Sequence, residues 1–206
     1  MSSSRANLFV ISAPSGAGKT TLVKALVQRN PSLRFSVSYT TRQRRETEVE
    51  GSDYYFVSVE EFTRLKAQGE LLESAVVFDN HYATSRSQVE KHIGTGHHVI
   101  LEIDWQGARQ VRESMPDCVS VFIMPPSRQE LERRLRDRRT DSDPVIARRL
   151  ADALSDMSHW DEFDFVIVND DLQVAVAELE AILWGEGDAN RRQNAKLQEM
   201  LQKILV

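Results

Sequence analysis

A loop of small residues followed by Lys and Thr is the stretch of this chain whose residue types and spacing could do chemistry. It follows the apolar run 8–11 and consists of Ala13, Pro14, Ser15, Gly16, Ala17, Gly18, Lys19 and Thr20. Gly16 and Gly18 let the backbone approach a ligand closely and point successive N–H groups into one concavity. Lys19 would then reach the β- and γ-phosphates of a nucleotide, and the Thr20 hydroxyl would ligate Mg²⁺. The segment predicts a site for ATP or GTP, although Ala13 stands where the strict phosphate-loop pattern has Gly.

Two acidic residues lie at the end of another apolar run. Residues 98–104 are strand-like and carry Glu102 and Asp104 at their C-terminal end. Because ligands of open α/β sheets bind outside the carboxyl ends of the strands, we expect both acids at the phosphate-loop cleft. Asp104 is similar to the acid that organises Mg²⁺ in phosphate-loop enzymes, generally through water. It could also cap a helix that begins near Trp105, and the two roles are compatible.

A basic loop indicates a second phosphate site. Arg42, Arg44 and Arg45 lie within four positions. On charge alone, a solvated surface explains such a run. Neighbouring hydroxyl groups favour a phosphate site over a solvated surface, because hydroxyl groups are donors suited to a phosphate. These groups belong to Ser38, Tyr39, Thr40, Thr41, Tyr54 and Tyr55.

Two further arginine-bearing segments predict a lid. The first covers residues 131–139 and the second contains Arg148 and Arg149, with the polar stretch 140–143 between them. Guanidinium groups on such segments could close on a polyphosphate and exclude water. From the residues alone, some of these arginines are simply solubilising.

Composition narrows the classes of function. The 206-residue chain has a net charge of −5, which argues against a general nucleic-acid-binding surface. Its single cysteine, Cys118, excludes an intrachain disulfide framework. The segment before residue 8 is short and polar rather than a signal peptide, and no apolar run approaches membrane-spanning length. We therefore expect a cytoplasmic protein without nucleic-acid or membrane partners. The sequence is compatible with a homo-oligomer.

Alternating strands and helices must position these residues. The apolar patterns predict strands at 8–11, 33–39, 70–78, 98–104, 119–124 and 163–168, with helices between them. Region 33–95 reads as a mixed, partly β insertion in an α/β core. The tail ends in an amphipathic pattern that is either a docked helix or a partner contact, and its apolar residues are Leu197, Leu201, Ile204 and Leu205.

Several motifs together resemble those of the guanylate kinase family over residues 8–182. They occupy residues 12–20, 36–42, 53–56, 103–107, 125–127 and 167–171, with Glu73 ahead of Tyr82. The resemblance implies a kinase that transfers the γ-phosphoryl group of ATP to GMP, and to dGMP, with Mg²⁺ as cofactor in purine nucleotide metabolism. It implies an α/β phosphate-loop NTPase fold, with a central parallel sheet flanked by helices, a β-rich GMP-binding insertion and a helical lid. We expect one domain with a core (6–32 and 96–185), a GMP-binding region (33–95), a lid (about 136–147) and a helical tail (186–206).

The resemblance also implies how GMP is bound. Its phosphate would be held by Arg42, Arg45, Tyr54 and Tyr82. Its guanine would be read by Ser38, Glu73 and Thr84, because a carboxylate accepts from N1–H and the 2-amino group while a hydroxyl donates to O6. Adenine presents neither pattern, so AMP would leave these polar groups unpaired. Glu102 and Asp104 complete the expected substrate-binding set.

On the donor side, the resemblance places cationic side chains around the transferring phosphoryl group; they are Lys19, Arg134, Arg138 and Arg149. Asn169 would contact the adenine of ATP, and the expected Mg²⁺ ligands are Thr20 and Asp104. Catalytic roles are expected for Lys19, Arg42, Arg138 and Arg149. No protein nucleophile is required, since the GMP phosphate itself attacks in line.

This chain departs from the usual family pattern at a few positions, namely Arg44, Thr47, Ala83, Glu102 and Arg139. The changes in the GMP loop keep two alternatives open. One is a kinase for another small acceptor, and the other is a catalytically weak module that binds a protein partner. Such modules typically have degraded phosphate loops, whereas this loop keeps both glycines, the Lys and the Thr.

Overall fold

The computed structural model describes residues 7–137 and 143–205. Its strands are β1 (Leu8–Ser12), β2 (Leu33–Phe35), β3 (Tyr39–Thr40), β4 (Tyr55–Phe56), β5 (Leu71–Val77), β6 (Asn80–Ser85), β7 (His98–Glu102), β8 (Val119–Met124) and β9 (Phe165–Val168). Its α-helices are α1 (Lys19–Arg29), α2 (Val59–Ala67), α3 (Arg86–Gly94), α4 (Trp105–Ser114), α5 (Arg128–Asp137), α6 (Asp143–Met157), α7 (Leu172–Leu183) and α8 (Ala195–Leu205).

Two sheets organise these strands. The larger has five strands in the order β2-β7-β1-β8-β9; β2 runs parallel to β7, with Leu33 opposite His98, and β8 runs parallel to β9, with Val121 opposite Phe165. The smaller has four strands in the order β4-β3-β6-β5, in which β3 pairs parallel to β4 and antiparallel to β6. The predicted α/β phosphate-loop fold, a parallel sheet flanked by helices with a mixed β-rich insertion, is confirmed.

The chain divides into two compact units. The first comprises the chain up to Val10 and Pro31–Val119, and the second comprises Ile11–Asn30 and the chain from Ser120 onward. The first unit contains the smaller sheet with α2, α3 and α4; its core includes Phe62, Leu65, Leu72, Val89, Ile100 and Val111. The second contains most of β8 and all of β9 with the remaining helices; its core includes Leu22, Phe122, Leu131, Met157, Phe163 and Leu179.

Within the first unit, β5 and β6 form a hairpin with a two-residue turn. Phe78 and Asp79 occupy the turn with φ values of 48° and 65°, and Val77 pairs with Asn80. Two positive φ values are typical of a type I′ turn, whose twist matches that of paired strands. The predicted strand 70–78 therefore ends at Val77, and Phe78 belongs to the turn.

Residues 33–39 do not form the single strand that the sequence predicts. β2 pairs with β7, and the Ser36 N–H still donates to the Ile100 carbonyl at 3.0 Å. From Tyr39 the chain pairs instead with Ala83 of β6, in the other sheet. The alternating pattern of residues 33–39 is compatible with pairing to β7 and with pairing to β6. The point at which one strand ends and the next begins therefore depends on these distant partners.

Helix α8 packs within the second unit. Leu197, Leu201 and Ile204 are buried, and the Gln198 side chain donates to the Arg192 carbonyl at 2.9 Å. Of the two interpretations of the tail, the structure selects the docked helix. None of the helices among residues 7–137 and 143–205 is both long and apolar enough to span a membrane.

Candidate active site

The phosphate loop lies in the second unit, between β1 and α1. Gly16 has a φ of 93° and Gly18 a φ of 90°, a region in which side chains are strained. The Ala17 N–H donates to the Pro14 carbonyl at 3.2 Å, which closes the turn. Lys19 is the first residue of α1, and Gly18 at the N-cap position has no side chain with which to cap that helix. The N–H groups and positive dipole end of α1 therefore suit an anion, as expected for this loop.

Two predicted donor-site residues lie against the carbonyl of Ala17. Asn169 is 5% exposed and its Nδ2 donates to the Ala17 oxygen at 2.7 Å. The Arg134 guanidinium donates to the Asn169 carbonyl at 3.0 Å and to the Ala17 carbonyl at 3.5 Å. A Cβ on Gly18 would lie 2.5 Å from Asn169 Nδ2, so the glycine also permits this close packing. The end of β9 and helix α5 thus position the loop.

The other predicted donor-site residues differ in how far they are buried. Ala13 and Ser15 are half-buried, Pro14 is buried and Thr20 is exposed. Arg149 lies on α6 of the same unit and is half-buried. Three features of the predicted lid lie outside the described residues. They are Arg138, the centre of the lid, and Arg139, at which this chain departs from the usual family pattern.

A cluster in the first unit brings together three of the residues predicted to bind the GMP phosphate. The guanidinium carbon of Arg42 lies 5.4 Å from the Tyr54 ring centroid, and the ring centroids of Tyr54 and Tyr82 are 5.9 Å apart. Arg42 also forms a bidentate ion pair with Glu48, at 2.7 Å and 3.1 Å. Arg45 is more exposed and lies 3.9 Å from Glu48. The cluster has the donors that recognise a phosphate.

Burial and hydrogen bonding set the ionisation of this cluster. Burial, with the nearby Glu102 and Tyr82, raises the pKa of Tyr54 to about 12, so its hydroxyl remains a donor at neutral pH. Burial opposes the charge of Arg42, but hydrogen bonds to Glu48 and Tyr82 outweigh it and raise its pKa. Burial likewise opposes the charge of Glu48, whose pKa is nevertheless lowered by hydrogen bonds from Arg42 and the Arg45 backbone. The arginine and glutamate therefore stay ionised together.

A buried carboxylate marks the predicted base-reading site. Glu73 is 3% exposed and Thr84 is 1% exposed, and Thr84 Oγ1 donates to Glu73 Oε1 at 2.7 Å. The register of β5 against β6 shifts between Leu71 and Glu73. Such a bulge re-aims a side chain, and here both Leu72 and Glu73 are buried where strict alternation would bury one. Ser38, also buried, lies in the same unit.

Asp104 has two hydrogen-bond partners at the start of α4. Its Oδ1 accepts from the Gly107 N–H at 2.9 Å and its Oδ2 accepts from Gln106 Nε2 at 3.0 Å. The expected cap is therefore confirmed. Glu102 ends β7 and lies close enough to Tyr54 to influence its pKa.

Sequence reasoning assigned no role to three residues that position the predicted site. Glu48 holds Arg42, Gly107 lies against Glu73, and Gln110 of α4 makes two hydrogen bonds with the Ser74 backbone at 2.8 Å and 3.0 Å. The only sequence signal for Glu48 was an acid a few residues from a basic run. Gly107 belonged to the 103–107 motif, and the signal that it needed a role of its own was its place in the first turn of a predicted helix, where glycine lowers stability.

Comparison with known proteins gives consistent matches. A family model described as guanylate kinase matches residues 5–186. Guanylate kinases of Alkalilimnicola ehrlichii and Methylococcus capsulatus are each 54% identical to this chain over 198 residues, which are 96% of this chain and 98% and 97% of theirs. The crystal structure of guanylate kinase from Anaplasma phagocytophilum has a TM-score of 0.75 and 37% identity, and the match covers 97% of this chain and 95% of that one. With a family model that spans most of the residues and relatives that match almost end to end, the chain belongs to the guanylate kinase family of nucleoside monophosphate kinases.

Proposed function

We propose that this enzyme transfers the γ-phosphoryl group of ATP to GMP, and also to dGMP, and yields ADP and the corresponding diphosphate in cytoplasmic purine nucleotide metabolism. The observation that carries the acceptor assignment is the buried Glu73 carboxylate, held at 2.7 Å by Thr84. One carboxylate can accept hydrogen bonds from guanine N1–H and from its 2-amino group. A buried carboxylate is costly to leave unpaired, so a base without these donors is rejected.

The cluster of Arg42, Tyr54 and Tyr82 supports a site for the GMP phosphate. The Arg42 guanidinium and the neutral Tyr54 hydroxyl are donors suited to phosphate oxygens. Arg45, on the same loop, is exposed enough to turn towards a ligand. The proposed acceptor site comprises these residues with Ser38, Glu73, Thr84, Glu102 and Asp104.

The loop from Ala13 to Thr20 is the proposed ATP phosphate site, with Lys19 as the cation that reaches the β- and γ-phosphates. Arg134 and Asn169 support this assignment because both contact the Ala17 carbonyl of the loop. Arg138 and Arg149 are proposed to neutralise charge during transfer. The functional division into core, GMP-binding region, lid and tail is likewise a proposal.

The Thr20 hydroxyl and the Asp104 carboxylate are each proposed as Mg²⁺ ligands, because both are oxygen donors of the kind that Mg²⁺ prefers. No group of three or more His, Cys, Asp or Glu residues in the described part of the chain could hold a metal by itself. Mg²⁺ usually keeps several waters and binds through substrate phosphates with few protein ligands. When bound, the ion would neutralise charge on the phosphate oxygens.

The chemistry balances without a covalent enzyme intermediate. An oxygen of the GMP phosphate forms a bond to the γ-phosphorus while the bond from that phosphorus to the β,γ-bridging oxygen breaks, and ADP leaves. Lys19 and the arginines supply positioning and charge neutralisation, which provide most of the acceleration in such reactions.

A coupled assay of ADP release tests the proposal. The full chain is given ATP and Mg²⁺ with GMP, dGMP, AMP, CMP or UMP, and a reaction without acceptor measures ATP hydrolysis. We expect turnover with GMP and dGMP and little with AMP. Turnover with a different acceptor would replace the proposed substrate, and tight nucleotide binding without turnover would indicate a binding module.

A further inference from the structure

Gly107 lies directly against the carboxylate of Glu73. It is the third residue of α4, and its N–H donates to Asp104 Oδ1 at 2.9 Å. A Cβ at Gly107 would lie 2.4 Å from Glu73 Oε2 and 3.0 Å from Glu73 Cδ. Real Cβ atoms essentially never approach another heavy atom so closely, so any side chain at position 107 requires the carboxylate or the helix to move.

Helix α4 is held in place beside β5. Gln110, one turn after Gly107, donates from Nε2 to the Ser74 carbonyl at 2.8 Å and accepts from the Ser74 N–H at 3.0 Å. Both bonds fix the helix to the residue that follows Glu73. Because the helix cannot retreat without breaking them, the carboxylate is the group that would move.

The carboxylate is confined on its other side as well. Glu73 Oε1 accepts from Thr84 Oγ1 at 2.7 Å, and both side chains are buried. The bulge in β5 directs Glu73 to this position. The carboxylate therefore lies between the Thr84 hydroxyl and the bare Cα of Gly107, and a displacement would disturb its orientation.

Backbone conformation does not explain the glycine. Gly107 is not among the residues with positive φ, and it lies in a helix, where glycine is less stable than alanine. We propose that Gly107 is a specificity-determining positioning residue: its missing side chain leaves the space in which the Glu73 carboxylate keeps the orientation that reads guanine. This inference rests on the proposed base-reading function of Glu73.

Gly107→Ala tests the inference, with Gly94→Ala as the matched control. Gly94 also lies in a helix and has no positive φ, and a Cβ there would meet no atom of the described residues within 4 Å beyond its own helix and chain neighbours. The experiment determines kcat and KM for GMP and for IMP, which lacks the 2-amino group. Calorimetry gives the dissociation constant of GMP. In Gly107→Ala the preference for GMP over IMP should fall by about tenfold and KM for GMP should rise, while KM for ATP stays unchanged. Gly94→Ala should match the parent in every constant.

A double-mutant cycle separates positioning from a general structural effect. If Gly107 acts through Glu73, adding Gly107→Ala to Glu73→Gln should change the GMP:IMP preference little beyond Glu73→Gln alone. Additive effects, or an unchanged preference in Gly107→Ala, would overturn the inference. If Gly107→Ala is unstable, Glu73→Ala in the same background should restore its thermal midpoint by removing the colliding carboxylate, and failure to do so would also overturn it.

The parent enzyme distinguishes this inference from the function on which it rests. A parent that does not phosphorylate GMP, or that uses GMP and IMP equally, contradicts the proposed function. A parent that selects GMP, together with a Gly107→Ala variant that selects it equally well, contradicts only the role of Gly107.

Discussion

The ion pair between Arg42 and Glu48 shows how one acid can prepare a cation for a ligand. Glu48 accepts two hydrogen bonds from Arg42 and a third from the Arg45 N–H at 2.8 Å. These contacts fix the loop before any phosphate binds, which reduces the ordering cost of binding. The acid is therefore part of the proposed phosphate site although it would repel the ligand itself.

Glu48→Gln should raise KM for GMP by about fivefold, because the amide keeps one acceptor oxygen and loses the charge that holds Arg42. KM for ATP should not change. Steady-state kinetics with each substrate varied provides the measurement, and Glu46→Gln, an exposed change in the same loop, is the control. A lower KM for GMP would mean that Glu48 competes with the phosphate for Arg42.

Glu73→Gln should reduce the preference for GMP over AMP by about 1–3 kcal/mol, the usual effect of mismatching a buried polar group. The glutamine amide would present donors where guanine also presents donors. The ratio of kcat/KM for the two acceptors measures the effect, with the exposed Glu70→Gln as control. Unchanged kcat and KM for GMP would show that Glu73 does not read the base.

Lys19→Ala should lower kcat by about 10²–10³-fold, since a preorganised cation at the transferring phosphoryl group is lost. Lys24→Ala, an exposed change on the same helix, should retain activity. Circular dichroism checks that both variants are folded. Full activity in a folded Lys19→Ala would show that the loop does not bind the donor phosphates.

Among the secondary-structure elements, β5 and α4 act as a pair. The bulge in β5 aims Glu73, and the Gln110 hydrogen bonds keep α4 against the following residue. Neither element alone would orient the carboxylate. The position of the Glu73 carboxylate thus depends on how these two elements pack.

Helix α8 should contribute to stability through its buried face. Leu201 is fully buried, so Leu201→Ala should lower the free energy of unfolding by about 2–5 kcal/mol. Met200 on the same helix is 48% exposed. Met200→Ala should therefore change the free energy of unfolding by less than about 0.5 kcal/mol. Chemical denaturation measures both. Equal, small effects would mean that the helix is not docked in solution.

In the molecule as a whole, each compact unit holds residues of one proposed nucleotide site. The ATP loop, Arg134 and Asn169 belong to the second unit, and the proposed GMP-binding residues belong to the first. The second unit also secures its tail, because Asn190 donates to the Val166 carbonyl at 3.3 Å and hydrogen-bonds Glu178 of α7.

The pH dependence of stability should include a contribution from Glu178. Burial raises its pKa above 4.5, only partly offset by the hydrogen bond with Asn190. A carboxyl group with a raised folded-state pKa stabilises the protein below its unfolded pKa, and this stability is lost as pH rises through the folded value. Glu178→Gln should therefore raise the thermal midpoint at pH 7, and the difference should shrink below pH 4.5. The exposed Glu186→Gln is the control, and a lower midpoint at pH 7 would contradict this interpretation.

The sequence by itself determined the phosphate loop, most element positions and the family. These signals are local: the apolar strand, the two glycines and the helix that begins at Lys19 are contiguous in the chain, so neighbouring residues suffice to specify them. Arg42 and Tyr54 were likewise found in adjacent motifs. Their roles in binding remain predictions.

Only the tertiary structure decided how distant residues meet. The break after β2, the bulge at Glu73 and the contact with Gly107 depend on strand register and helix packing against partners tens of residues away. An alternating pattern fits more than one register, and an amphipathic tail fits more than one partner. The energy of burying those partners together selects one arrangement, which no local propensity encodes.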